Sequence, residues 1–380
     1  VAAADGGISV MENKVSYSFA QQMTFTLKAV SDIEISKAYL FFSVAGSNQT
    51  ESATVEVKPP AREVNVNHVH DLRNSRLQPF ATVTFWWQLE SPSNDIQLVE
   101  PQQFQYTDNR FNWKELSANG VTVHWIEGQG DPIFGQVALD VAQASLKEIN
   151  AELRVPTTPA INIYIYDAQH NLEQAMRLTG RSWVVGQAHP ELGNILVAIP
   201  FGEGYMSQMR RYIPHEITHL LVYRHVTPDG YRYVPEWLDE GLATANEQLP
   251  TPEQALVLEE ARTQGRLLSL EDLCAPFPPK AETTFLAYAQ SGSLVRFIRE
   301  QYGAGKIRDL LAAYADGASC AGGVQEALNT SLSDLEATWR ASLEPRPPWY
   351  LLVERIGTWV GLWMLSVLLA VPMIGGLRRR

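Results

Sequence analysis

The stretch "YIPHEITHLL", Tyr212 to Leu221, sets two histidines four residues apart, with a glutamate beside the first, inside an otherwise apolar run. The flank "ITHLLVY" predicts a buried helix. On a helix, residues four apart lie on one face, so His215 and His219 present their rings to a single point. Glu216, about 100° round the helix from His215, reaches the rim of the same point. In H-E-x-x-H two neutral imidazoles bind zinc, and the glutamate is the general base that takes a proton from water. Pro214 lacks the N–H that a helix interior uses. Either the helix begins there, or one starting near Ser207 kinks at it; both leave the histidines on one face.

A catalytic zinc needs a third protein ligand and one open position. The best donor downstream lies in "PEWLDEGLATANE", Pro235 to Glu247, where Pro235 suits a helix start and Trp237, Leu238 and Leu242 form an apolar face. Glu236, Asp239 and Glu240 each offer a carboxylate, and the spacing alone leaves all three open. Cys274 and Cys320, the only cysteines, have no zinc-ligand spacing. They can form one disulfide or stay as two buried thiols.

Twenty residues separate His219 from Glu240, and H-E-x-x-H followed by W-L-x-E-G-L-A at that distance resembles the gluzincin metallopeptidases. The stretch from Trp113 to Leu343 is similar to their peptidase-MA-like branch of secreted or membrane-anchored bacterial proteins. The resemblance implies a thermolysin-like α+β domain with one catalytic Zn2+ held by His215, His219 and Glu240, with Glu216 as general base and a peptide or protein as substrate. Asp239 stands where the family usually has asparagine, a change to be tolerated if that side chain points away from the metal. The related aminopeptidases bind a free amine with a Gly-x-Met-Glu-Asn edge strand. The nearest counterpart here, "GQAHPELGN" from Gly186 to Asn194, lacks that motif but can still pair with a peptide backbone. Phe285 to Gly303 resembles the family's late helix, which makes Tyr288 the candidate donor to the oxyanion. Packing on the apolar face of that helix is its alternative role, and Tyr231, Tyr233 and His225 are competitors. His124, His170 and His189 read as surface or strand residues.

Before residue 113 the pattern is period two, the signature of half-buried strands. Runs such as "AYLFFSV", "ATVEV", "EVNVNHV" and "ATVTFWWQL" recur with Gly, Pro, Asn and Ser between them. About seven strands in an all-β, Ig-like sandwich over residues 1–112 is the expectation. His68 and His70 share one strand face there with no third ligand in view, and Asn48-Gln49-Thr50 fits a glycosylation pattern. Residues 113–344 then read as the α+β zinc metallopeptidase domain. It opens with strand "VTVHWIEG", a helix of about 20 residues at "IFGQVALDVAQASLKEINAEL", then "INIYIYD", "NLEQAMRL" and two short strands. Helical patterns dominate from Met206 onward.

The net charge of −12 and pI near 5.2 argue against a nucleic-acid binder, which would carry a basic face. Val1-Ala2-Ala3-Ala4, without an initiator Met, suggests a removed signal peptide. From Ile356 to Leu377, 22 residues run without a charge and end at Arg378-Arg379-Arg380. As a helix this would span roughly 33 Å, the reach of a transmembrane segment. The expected architecture is therefore multidomain, with a juxtamembrane linker at 345–355, a single transmembrane helix at 356–377 and a cytoplasmic basic tail at 378–380. That places the body outside a cell membrane. Two other functions compete with the peptidase: a catalytically silent, zinc-containing surface binding protein, and a zinc hydrolase acting on a non-peptide envelope substrate such as an ester or amide.

Overall fold

The computed structural model describes residues 7–344 apart from 76, 131, 157–158, 177–185, 250 and 279. Two compact units are present, Val1–Asn329 and Thr330–Arg380. In the second, the described part is helix α10 (Leu332–Ser342), capped by the Ser331 hydroxyl, which accepts from the Asp334 N–H.

The first unit begins with a six-stranded antiparallel sheet: β1 (Ile8–Ser18), β2 (Gln22–Val44), β3 (Thr50–Asp71), β4 (Ala81–Glu90), β5 (Ile96–Leu98) and β6 (Gln102–Tyr106). Strand β2 organises it. One edge of β2 pairs with β3 along most of its length, and the other pairs with β1 over Gln22–Ser31 and with β4 over Lys37–Val44. Between these halves the register shifts at Val30, Ile35 and Lys37. The buried phase changes there too: Met23, Phe25, Leu27 and Ala29 face the core first, then Ala38, Leu40 and Phe42. Seventeen residues of straight strand would separate Phe25 from Phe42 by roughly 55 Å. Their rings nevertheless stack with centroids 5.4 Å apart, so β2 bends sharply at the irregularity and folds the sheet over on itself.

The Ig-like sandwich of seven short strands is thus corrected to one folded sheet of six. "AYLFFSV" continues β2, and "ATVEV" and "EVNVNHV" merge into β3. Pro59 and Pro60 do not end β3, because it pairs only with β2 and the prolines fall in a gap of its register.

A second sheet, ordered β10-β11-β9-β8-β7, comprises β7 (Trp113–Ala118), β8 (Val121–Ile126), β9 (Ile161–Tyr166), β10 (Gly186–His189) and β11 (Asn194–Ala198). The three central strands are parallel and the two outer ones antiparallel. Helices α1 (Ile133–Leu153) and α2 (Gln169–Met176) make the crossovers that parallel pairing demands. The two sheets share packing. Phe80 stacks on Tyr164 with centroids 3.5 Å apart, its carbonyl accepts from Asn194 Nδ2, and buried Asp108 accepts from Arg110 and from the Tyr166 hydroxyl.

After β11 the chain is helical: α3 (Tyr205–Tyr231), α4 (Glu236–Ala245), α5 (Pro252–Thr263), α6 (Leu270–Leu273), α7 (Ala281–Tyr302), α8 (Gly305–Ala315) and α9 (Cys320–Leu328). Cys274 and Cys320 are bridged, tying the end of α6 to the start of α9, with Cα atoms 5.9 Å apart. Helices α4 and α7 approach closely because Gly241 has no side chain; a Cβ there would lie 2.8 Å from the Ser291 carbonyl oxygen.

Among the described residues no helix is long and apolar enough to cross a membrane. The two longest, α3 and α7, carry charges such as Arg210, Arg211 and Arg224, and Glu282, Arg296 and Arg299, which a bilayer core would reject. The segment expected to span, 356–377, lies outside the described residues, as do the linker, the tail and the start of the chain. The single-pass architecture and the cell-membrane location are therefore withdrawn. What stands is an N-terminal β region followed by an α+β region.

Candidate metal centre

Helix α3 starts at Tyr205 after Gly204 and runs through Pro214, so of the two alternatives the earlier start holds and the helix does not begin at Pro214. Proline removes the N–H that would bond to the Arg210 carbonyl. That carbonyl instead accepts the backbone N–H of Gln248 at 2.9 Å. The Pro214 carbonyl accepts from the Thr218 hydroxyl at 2.8 Å. The helical path breaks later, at Thr227 (φ 66°, ψ 160°) just before Pro228, where a following proline disfavours helical geometry.

His215 and His219 project from this helix with ring centroids 5.0 Å apart. Glu240, one turn into α4, points its Oε2 between them, 3.3 Å from His215 Nε2 and 3.5 Å from His219 Nε2. The three ligand atoms lie within 4.8 Å of one another. Glu240 Oε2 is buried and has no hydrogen-bond partner among the described residues, a costly state that a cation at the centre of the triangle would relieve. Two imidazoles and one carboxylate form a donor set suited to zinc, so these residues fit the ion expected from the sequence.

The three carboxylates left open by the spacing are sorted by the fold. Glu236 turns away, and its Oε2 accepts the Phe277 backbone N–H at 2.7 Å. Asp239 faces the far nitrogen of His219, with Oδ2 3.1 Å from Nδ1, and is itself held by the Tyr231 hydroxyl at 2.7 Å. Glu247 does the same for the other ring, with Oε1 3.3 Å from His215 Nδ1. Each imidazole is thus backed by a carboxylate, which orients the ring and raises its basicity as a ligand. Asp239 points away from the ligand triangle, as tolerance of the asparagine-to-aspartate difference required. Neither supporting role was foreseen from the sequence. Glu247 lies past the end of α4, whose cap is Asn246, so helical spacing from Glu240 gives no signal for it.

Electrostatics follow from burial and these pairs. Burial pulls the His215 pKa down, but the Glu240 and Glu247 carboxylates outweigh it and push it up to about 9. Burial likewise opposes charge on His219, and Asp239 and Glu240 raise it well above the ordinary histidine value. Burial alone would raise Glu240; the two imidazoles instead hold its carboxyl far below the usual range. The cluster is arranged to favour positive charge at its centre. Glu216 behaves differently: burial raises its pKa, against the lowering pull of His215, His219 and a backbone hydrogen bond from Ala188. Its carboxylate lies against β10, where a Cβ on Gly186 would come within 2.5 Å of Oε1.

All these groups open onto one cleft of 770 Å³, which edge strand β10 and helix α7 also line. Tyr288 stands on that wall, its ring against Phe277. Of its competitors, Tyr231 lines the cleft but its hydroxyl is engaged by Asp239, Tyr233 is 48% exposed, and His225 bonds the Leu153 carbonyl beside a different cavity. His124 stacks on Tyr164, His189 lies near Glu191, His170 is exposed, and His70 packs against Phe42.

A family profile described as the Peptidase MA superfamily matches residues 141–345, more than half of the chain. No curated protein matches. Among solved structures, an aminopeptidase N family protein from Idiomarina loihiensis is similar over 84% of this chain and 73% of its own, at 9% identity and a TM-score of 0.40. A myokine structure aligns over 26% of this chain and 96% of its own, at 10% identity and a TM-score of 0.21. A polysaccharide deacetylase from Bacillus cereus aligns over 49% and 58%, at 9% identity and a TM-score of 0.22.

Proposed function

The chain belongs to the Peptidase MA superfamily, and on that premise we propose that it is a zinc-dependent metallopeptidase of gluzincin type. His215, His219 and Glu240 would hold one Zn2+, and Glu216 would act as general base. The observation that carries this reading is the convergence of two imidazoles and an unpartnered buried carboxylate oxygen beside a second buried carboxylate, in an open cleft. When bound, the ion supplies Lewis acidity, polarising the carbonyl under attack and acidifying water.

The protein's own groups do the rest. Glu216, with its pKa raised by burial, accepts the proton of the attacking water and returns it to the leaving amine. Asp239 and Glu247 keep the Nδ1 protons of His219 and His215 in place, leaving each Nε2 free to ligate. Edge strand β10 offers a backbone against which an extended peptide can pair beside Glu216. Tyr288, which also lines the cleft, is the candidate donor to the oxyanion.

Glu216→Gln separates this reading from the catalytically silent one, since a structural zinc site has no use for a general base. The variant should keep its zinc, measured by elemental analysis, and lose hydrolysis of a peptide library by a factor of 10² or more, roughly the worth of a positioned acid–base group. Undiminished cleavage would remove Glu216 from the mechanism.

A further inference from the structure

Beyond His215 and Glu247 the cleft wall carries polar groups that neither zinc ligation nor proton transfer uses. Arg211 lies four residues before His215, on the same face of α3, and lines the cleft. Its Nε is buried and has no hydrogen bond among the described residues. The nearest anion is Glu247, with Oε2 3.4 Å from that Nε. Glu247 supports His215 through Oε1 at 3.3 Å, its Oε2 makes no hydrogen bond among the described residues, and its charge also acts on half-buried Arg296. Oε1 thus faces the His215 ring and Oε2 the Arg211 guanidinium, the latter without closing a hydrogen bond. The Thr244 hydroxyl, one turn after Glu240 and also on the wall, is buried without a hydrogen-bond partner among the described residues. Gln254, from α5, lines the cleft at 7% exposure. Glu282, the other acid on this wall, is 87% exposed at the mouth and 3.5 Å from Lys280.

A guanidinium Nε and a hydroxyl, both buried without hydrogen bonds among the described residues, line the cleft together with an amide, an arrangement that a carboxylate satisfies. We propose that Arg211, with Thr244 and Gln254, forms a subsite for a carboxylate of the substrate. Preferred peptides therefore carry an acidic side chain or a free C-terminal carboxylate close to the scissile bond. Four residues of helix rise about 6 Å, while an extended peptide advances about 3.3 Å per residue. The recognised carboxylate therefore belongs one or two residues from the bond cut at His215. Calling the ligand a substrate rests on the peptidase reading; the subsite itself rests on the unsatisfied wall groups.

The test uses the full chain loaded with zinc and a series of alanine-rich decapeptides. Each carries one Glu or Gln at successive positions and ends as a free acid or an amide. Cleavage should fall one or two residues from the acid, with kcat/KM at least about ten-fold above the neutral counterpart, the ordinary worth of a charge-assisted contact. The Glu/Gln pairs and the acid/amide pairs separate a side-chain carboxylate from a terminal one. In Arg211→Gln the ratio should fall to about one, and in Arg211→Lys it should be partly kept. A ratio within one protein does not depend on how much zinc that variant holds. The same peptides are titrated calorimetrically into Glu216→Gln protein, with and without Arg211→Gln. Cleavage with no acid preference in the unaltered protein overturns the subsite and leaves the peptidase reading intact. Arg211-dependent binding of the acidic peptides without any cleavage upholds the subsite and overturns the peptidase. Neither cleavage nor acid-dependent binding overturns both.

Discussion

At His219 the supporting carboxylate is the residue next to the proposed third ligand in the chain, Asp239 beside Glu240, held by a tyrosine hydroxyl at 2.7 Å. At His215 the support comes from Glu247, beyond the end of α4, beside a single arginine Nε at 3.4 Å. One side of the site is built within a short stretch of sequence. The other depends on a contact between helices: Pro214 frees the Arg210 carbonyl, Gln248 donates to it, and Glu247 is thereby seated against His215. Two imidazoles with the same role thus draw their orientation from chain neighbours in one case and from tertiary structure in the other.

That asymmetry can be broken in steps of decreasing size. Glu240→Ala removes the ligand common to both sides, so zinc measured after dialysis should fall to background, and retention of one equivalent would show that another group completes the site. Glu247→Ala should weaken zinc binding by about 10- to 100-fold, the usual cost of losing an outer-shell partner. Asp239→Asn should lie at the small end of that range, because an amide oxygen still accepts from His219 Nδ1–H; competition with a chelator at fixed pH compares the two. Equal losses would erase the distinction between the two sides. Pro214→Ala restores a backbone N–H that competes with Gln248 for the Arg210 carbonyl. Its zinc affinity should fall about two- to five-fold, on the order of the ~1 kcal/mol carried by one hydrogen bond, even though alanine is the better helix former. An unchanged affinity would mean that Glu247 is seated by other contacts.

Much of the site is legible in the amino-acid sequence. The i, i+4 spacing of His215 and His219 holds in any helix, and Glu216 follows on its rim. Glu240 stands out among three carboxylates by resemblance, and local physics could not have chosen it. Glu236 and Asp239 are excluded only by partners remote in sequence or set by side-chain direction, Phe277 N–H and His219 Nδ1. In the N-terminal region the period-two pattern locates the buried residues, yet it misleads on the number of strands. Polar and proline residues that ordinarily mark turns lie inside β2 and β3, where an irregular register and an edge position accommodate them.

The sequence by itself determined the face of α3 that carries both histidines, the acidic and non-basic character of the chain, and the change from strands to helices after β11, because these depend on spacing and composition over a few turns. Tertiary structure alone decided that β2 bends sharply and folds its sheet over, that Cys274 meets Cys320, and that Glu247 and Arg211 come to lie beside His215. Such contacts close loops of tens of residues, and local pattern carries no information about which partners the packing of helices and sheets will bring together.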